Sequence, residues 1–90
     1  MSVLINIPTP LRTITKDRTV EVEGKTLEEC INNLEEKFNG IKKRLINDDG
    51  EINKFINFYI NGDDVRHSEG LETKIEPGSS IDIVPAMAGG

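Results

Sequence analysis

The final stretch of the chain joins a strand-like segment to a tail of small residues, and it reads Ser80-Ile81-Asp82-Ile83-Val84-Pro85-Ala86-Met87-Ala88-Gly89-Gly90. Residues 81–84 place apolar Ile81 and Ile83 on either side of Asp82, which predicts a β-strand. Pro85 ends this strand because proline has no N–H to donate to a neighbouring strand. Gly89 and Gly90 have no Cβ, so their backbone can enter a narrow channel. We therefore expect a folded domain over residues 1–85 and a flexible tail over residues 86–90, with its chemistry at the terminal carboxyl group.

Upstream of this strand, the sequence predicts a hairpin. Residues 55–60 read Phe-Ile-Asn-Phe-Tyr-Ile, which indicates a strand whose alternate residues, starting from Ile56, face the core. Asn61-Gly62 then favours a tight turn, and a brief strand is expected around Asp64-Val65. Leu71 and Ile75 are four residues apart, which predicts one helical turn covering the core.

One long helix is predicted over residues 26–39. Thr26 is a good N-cap, and Glu29, three residues later, completes a capping box. Gly40 is a natural stop after the last turn. The apolar side chains recur at helical spacing on one face, at Leu27, Ile31, Leu34 and Phe38.

The start of the chain predicts two more strands. Residues 3–7 and 19–23 alternate apolar and polar side chains, and a loop from Thr9 to Asp17 is expected between them. Strands gathered around a single helix predict an α+β domain. The expected fold is a β-grasp, with a mixed sheet of four to five strands packed on one main helix. By analogy with known folds, its first and last strands are expected to be central and parallel.

Composition narrows the function classes. The 90 residues suffice for one domain, and their formal net charge of −5 argues against a nucleic-acid partner and favours a partner with a positive surface. Cys30 is the only cysteine, so no intramolecular disulfide is expected. Without an apolar run of ~20 residues or a basic, apolar leader, we expect no membrane association and a cytoplasmic location.

With these elements in place, the chain resembles the ubiquitin-like sulfur-carrier (ThiS/MoaD-like) family, and most closely its cysteine-biosynthesis branch. The resemblance covers nearly the whole chain. Its motifs are Ile7-Pro8-Thr9 with Leu11-Arg12, Phe55-Ile56-Asn57 with Tyr59-Ile60-Asn61, Asp64-Val65-Arg66, Pro77-Gly78-Ser79-Ser80-Ile81, and Val84 through Gly90.

The resemblance implies a carrier and not an enzyme. An E1-like adenylating enzyme would let the Gly90 carboxylate attack ATP, and a sulfur donor would then replace AMP to leave a thiocarboxylate. The carrier would pass the sulfur to an accepting enzyme, either a pyridoxal-phosphate-dependent cysteine synthase or the large subunit of molybdopterin synthase. A peptidase would release the product in the cysteine branch. No cofactor or metal is expected on the chain itself, and ATP is consumed by the partner.

Other roles share the same terminal chemistry. Within the family, the small subunit of molybdopterin synthase and the thiamin sulfur carrier are the alternatives to cysteine biosynthesis. In another class, a ubiquitin-like modifier would join Gly90 to a lysine of a target protein. An enzyme in its own right is disfavoured, because no paired carboxylates, metal-ligand cluster or nucleophile with a base stands out.

Partner contacts are expected at the tail and on one sheet face. Gly89, Ala88 and Met87 would line the channel of the partner. Strand alternation places Tyr59 and Val84 on the outer sheet face together with Phe55, which makes these three the predicted docking residues.

The remaining polar candidates have simpler interpretations. Cys30 is expected to be a buried apolar residue, because no basic neighbour is evident that would lower the pKa of its thiol. His67 is expected in a surface loop, and Asp48-Asp49-Gly50-Glu51 in a turn. The basic run Lys42-Lys43-Arg44 is expected on a solvated face, with contact to an acidic partner loop as the alternative.

Overall fold

A computed structural model describes residues 2–65 and 69–85 of the chain. Its first two strands, β1 (Val3–Asn6) and β2 (Thr19–Val22), pair antiparallel as the alternation predicted. Val3, Ile5 and Val20 lie on the buried face of this hairpin, because successive side chains of a strand point to opposite faces.

The connection between β1 and β2 contains helical structure, so the prediction of a plain loop was wrong. A 3-10 turn covers Thr9–Leu11, and the short helix α1 covers Arg12–Thr15. Leu11 is buried in the core, and the Thr15 hydroxyl donates to the Asp17 carbonyl at 2.8 Å. The burial of Leu11 and the local bond of Thr15 stabilise a segment that is too short to show helical periodicity in its sequence.

The main helix, α2 (Leu27–Lys37), has the predicted cap. The Thr26 hydroxyl accepts a hydrogen bond from the Glu29 N–H at 3.2 Å. The Glu29 carboxylate in turn accepts from the Lys25 N–H at 2.9 Å. The helix ends two residues earlier than predicted, and Gly40 follows with a φ of 99°, which favours glycine.

The chain after α2 turns into the short helix α3 (Lys42–Leu45). The Glu35 carboxylate joins the two helices, since it accepts from the backbone N–H groups of Gly40 at 3.0 Å and Lys42 at 2.8 Å. Ile41 and Leu45 are both buried.

The last three strands complete the sheet. They are β3 (Ile56–Ile60), β4 (Asp63–Asp64) and β5 (Ser80–Pro85). The sheet order is β2-β1-β5-β3-β4, with β1 and β5 central and parallel, which confirms the expected β-grasp. Leu71 lies in a 3-10 turn over Gly70–Glu72, and Ile75 follows outside it, so the predicted helical turn is shorter than expected.

One core fills the space between α2 and the inner face of the sheet. It includes Leu27, Cys30, Ile31 and Leu34 from the helix side, and Ile5, Phe58, Ile81 and Ile83 from the central strands. This two-layer arrangement leaves the other face of the sheet uncovered by any described element.

Candidate functional site

The end of β5 determines where the tail leaves the domain. Pro85 lies opposite Ile56, the first residue of β3, and β1 runs parallel to β5 on the other side. The chain therefore leaves from the centre of the sheet, between its β1 and β3 neighbours. We call this end of the sheet, where β1 and β5 finish and β2 and β3 begin, the tail end. The predicted tail contacts Met87, Ala88, Gly89 and Gly90 lie outside the described residues, as does His67.

Two of the three predicted docking residues are exposed at the tail end. Val84, in the penultimate position of β5, is 40% exposed. Phe55, one residue before β3, is 50% exposed. Tyr59 is half-buried further along the outer face, opposite Asp82 and Asp64. The alternation used to place Tyr59 and Val84 is confirmed, whereas the docking role of the three residues stays a prediction.

The segment before β3 is held in place by one asparagine. The Asn53 side chain donates to the Arg44 carbonyl at 3.2 Å and accepts from the Phe55 N–H at 2.9 Å. The Lys54 ammonium lies 5.7 Å from the centre of the Phe55 ring, within the range of a cation–π contact. The backbone of α3 is thus connected to the exposed aromatic residue at the start of β3.

Away from the tail end, the outer face of the central strands is more polar. The Asn6 amide donates to the Asp82 carboxylate and contacts the Ser80 hydroxyl at 3.4 Å. Leu4 is 40% exposed on the same face, but at the opposite end of β1. Leu4 was not among the predicted docking residues, although its position between Val3 and Ile5 signals the outer face.

The Cys30 thiol is buried in the core. Burial, followed by the nearby Glu29 charge, raises the pKa of the Cys30 thiol to about 11, so the thiol stays protonated near neutral pH. Among residues 2–65 and 69–85, no group of His, Cys, Asp or Glu is placed to hold a metal ion. The 48–51 segment forms the predicted turn, in which the Gly50 N–H donates to the Asn47 carbonyl at 2.9 Å.

The helices give no indication of a bilayer span. None of those in the described part of the chain is both long enough and apolar enough to cross a membrane.

The five-stranded mixed sheet with one packed helix and a central C-terminal strand defines a ubiquitin-like β-grasp protein. Comparison with known proteins narrows this class, because the model of the ThiS family matches residues 5–90. The chain belongs to the ThiS family.

The similar proteins include sulfur carriers. The chain is 43% identical to the sulfur carrier protein CysO of Mycobacterium tuberculosis over 93 aligned residues, and the match covers 100% of both chains. It superimposes with a TM-score of 0.91 on a chain of the crystal structure of the Amycolatopsis orientalis BexX/CysO complex, at 44% identity, covering 98% of this chain and 99% of that one.

A relative named as a modifier protein also matches. The small archaeal modifier protein 3 of Haloferax volcanii is 34% identical over 68 residues, which cover 76% of this chain and 73% of the relative.

Proposed function

We propose that the protein is a sulfur carrier whose Gly90 carboxylate is activated and converted to a thiocarboxylate, and that it serves cysteine biosynthesis. The observation that carries this proposal is the similarity to CysO over the full length of both chains. The domain acts as a co-substrate, and the catalytic groups belong to its partner enzymes.

The proposed reaction has two steps at the terminal carboxyl group. This group is ionised at neutral pH, since its ordinary pKa is ~3.3–3.7. One carboxylate oxygen attacks the α-phosphorus of ATP, and pyrophosphate leaves. Hydrosulfide then attacks the acyl carbon of the adenylate, AMP leaves with the oxygen, and a thiocarboxylate remains. An E1-like adenylating enzyme would supply the site for ATP.

The fold supports delivery of the tail to such an enzyme. Because β5 lies between two strands, its backbone is fixed up to Pro85, and the residues beyond it start from a defined position. Exposed Val84 and Phe55 lie beside that position and would contact the partner around its channel. An enzyme that accepts the sulfur, and in the cysteine branch a peptidase, would bind the same end in turn.

The intact mass of the protein tests this proposal directly. After incubation with ATP, sulfide and an E1-like adenylating enzyme, we expect a mass gain equal to the replacement of one oxygen by one sulfur. The gain must require ATP and must disappear when Gly90 is deleted. Absence of the gain with every candidate enzyme of the source cell would contradict the carrier function.

A protein modifier is the second candidate, favoured by the similarity to the Haloferax modifier protein. It would use the same adenylate, but a lysine amine would attack the acyl carbon and form an amide. Immunoblots of cells distinguish the two functions. Conjugates of high mass that require Gly90 would support the modifier, whereas a single free band supports the carrier.

A further inference from the structure

The charged residues of this acidic protein are divided between the two ends of the sheet. The directions of the strands define the division, since β1 and β5 finish where β2 and β3 begin. The β1–β2 connection and the residues just before β3 therefore both lie at the tail end. The β3–β4 turn and the N-terminus of α2 lie at the opposite end, where the Leu27 N–H donates to the Thr73 carbonyl at 3.0 Å.

The tail end carries a concentration of positive charge. Four exposed basic side chains lie near the starts of β2 and β3: Lys16, Arg18, Arg44 and Lys54. Exposed Asp17 lies among them, and exposed Glu51 precedes Lys54. Lys42 and Lys43 are not counted here, because the ionised Glu35 carboxylate lies beside them and offsets their charge; the backbone N–H groups of Gly40 and then Lys42 lower the pKa of that carboxyl.

The opposite end has the reverse sign. Its exposed acidic residues in the described part of the chain are Glu23, Glu28, Glu29, Asp63, Glu69, Glu72 and Glu76. Lys25 and Lys74 are the exposed basic residues described at this end. The acidic turn at 48–50 belongs to neither end, because Asp48 lines one cavity with Glu28 and Leu71 and another with Lys43.

The basic residues stand on both sides of the departing tail. β5 lies between β1 and β3, so Lys16 and Arg18 are on one side and Arg44 and Lys54 are on the other. Asn53 holds the second group near the start of β3 through its bonds to the Arg44 carbonyl and the Phe55 N–H. Apolar Phe55 and Val84 lie with this group at the same end, so the tail leaves next to an apolar patch flanked by positive charge.

We propose that the tail end docks on a protein whose channel for the tail is rimmed by acidic side chains. This inference rests on the proposed function and adds the sign of the charge on the partner surface. The net charge of −5 would predict the opposite sign, a positive partner. Local charge governs the encounter, because the Debye length is only ≈ 8 Å at physiological ionic strength and screens the distant acidic end. A nucleic acid or an anionic membrane is disfavoured, since apolar Phe55 and Val84 interrupt the basic groups, whereas an extended polyanion needs a continuous basic face.

The test compares two double variants with the same change in net charge. Arg18→Glu with Arg44→Glu reverses charge on both sides of the tail. Lys25→Glu with Lys74→Glu reverses charge at the opposite end and is the matched control. The measurement is kcat/KM for conversion of Gly90 to the thiocarboxylate by the adenylating enzyme that modifies the wild type, at low and high salt, with thermal unfolding of each variant as the folding control.

We expect the tail-end variant to lose about tenfold in kcat/KM at low salt, through KM, and the control to stay near the wild type. The loss should shrink at about 1 M salt, where the Debye length is ~3 Å. If the enzyme modifies the wild type and the two variants have equal kcat/KM, the proposed acidic rim is wrong and the carrier function stands. A wild type that no adenylating enzyme modifies would instead overturn the proposed function and this inference with it. Retention of the wild type on anionic vesicles or duplex DNA, lost in the tail-end variant, would assign the basic end to a polyanion and overturn the protein partner.

Discussion

Replacing Phe55 by alanine tests whether the exposed apolar patch beside the tail is the docking site. Phe55 is 50% exposed, so a partner that covers it would remove about 100 Å² of apolar surface from water. At roughly 25 cal/mol per Å², this burial is worth about 2.5 kcal/mol before the costs of association. Ordering of side chains offsets part of it, which leaves ~1–2 kcal/mol. We therefore expect Phe55→Ala to lower kcat/KM for Gly90 activation about 5- to 30-fold.

Leu4→Ala is the matched control for this experiment. Leu4 is 40% exposed on the same sheet face as Val84, but β1 places it at the opposite end from the tail. The assay is the rate of thiocarboxylate formation, measured by intact mass at several carrier concentrations. Urea unfolding of both variants ensures that the rates refer to folded protein. If Phe55→Ala reacts like the wild type, or Leu4→Ala loses as much as Phe55→Ala, the patch is not the docking site.

Three further predictions concern the folded domain. Gly24→Ala should destabilise the protein by about 1–3 kcal/mol in urea unfolding, because the new Cβ would lie 2.8 Å from the Cys30 backbone nitrogen. Adding Cys30→Ala should not restore stability, because the backbone nitrogen stays in place. An unchanged unfolding midpoint would refute the clash. Cys30 should resist alkylation at pH 8 until the protein unfolds, since its thiol is buried with a pKa raised to about 11; rapid labelling under native conditions would contradict this burial. Hydrogen bonds from the Gly40 N–H and then the Lys42 N–H lower the pKa of the Glu35 carboxyl. Its contribution to stability is therefore present above its unfolded pKa and lost as the pH falls through its folded pKa. Glu35→Gln should destabilise the protein more at pH 7 than in acid, and equal losses at both pH values would exclude this linkage.

Strong local patterns predicted most of the fold correctly. The Thr26 and Glu29 pair fixed the start of α2 because capping bonds form between residues close in the chain. The alternation in residues 3–7 and 55–60 identified the core faces of β1 and β3, since a strand has a strict period of two. The connection at 9–15 was predicted wrongly because its helical turns depend on burial of Leu11 and Thr15 by distant residues.

The candidate site was predictable only in part. The side of the sheet on which Tyr59 and Val84 lie follows from alternation, and the structure confirms it. Their separation does not follow, because it depends on the register of β3 against β5, which places Val84 near the tail and Tyr59 beside Asp82. The position of Leu4 at the far end of this face does not follow either, since the end of the sheet that a residue occupies depends on strand direction.

The sequence by itself determined the kinds of elements and the faces they bury, because these follow from periodicity and capping over short distances. Only the tertiary structure decided that β5 lies parallel to β1 in the centre of the sheet, so that the chain leaves between two groups of basic residues. Net charge is a sum over the whole chain and does not say where in the fold the charged residues lie. The positive sign of the tail end comes from long-range strand pairing, which brings Arg18 and Arg44 to the same end of an acidic molecule.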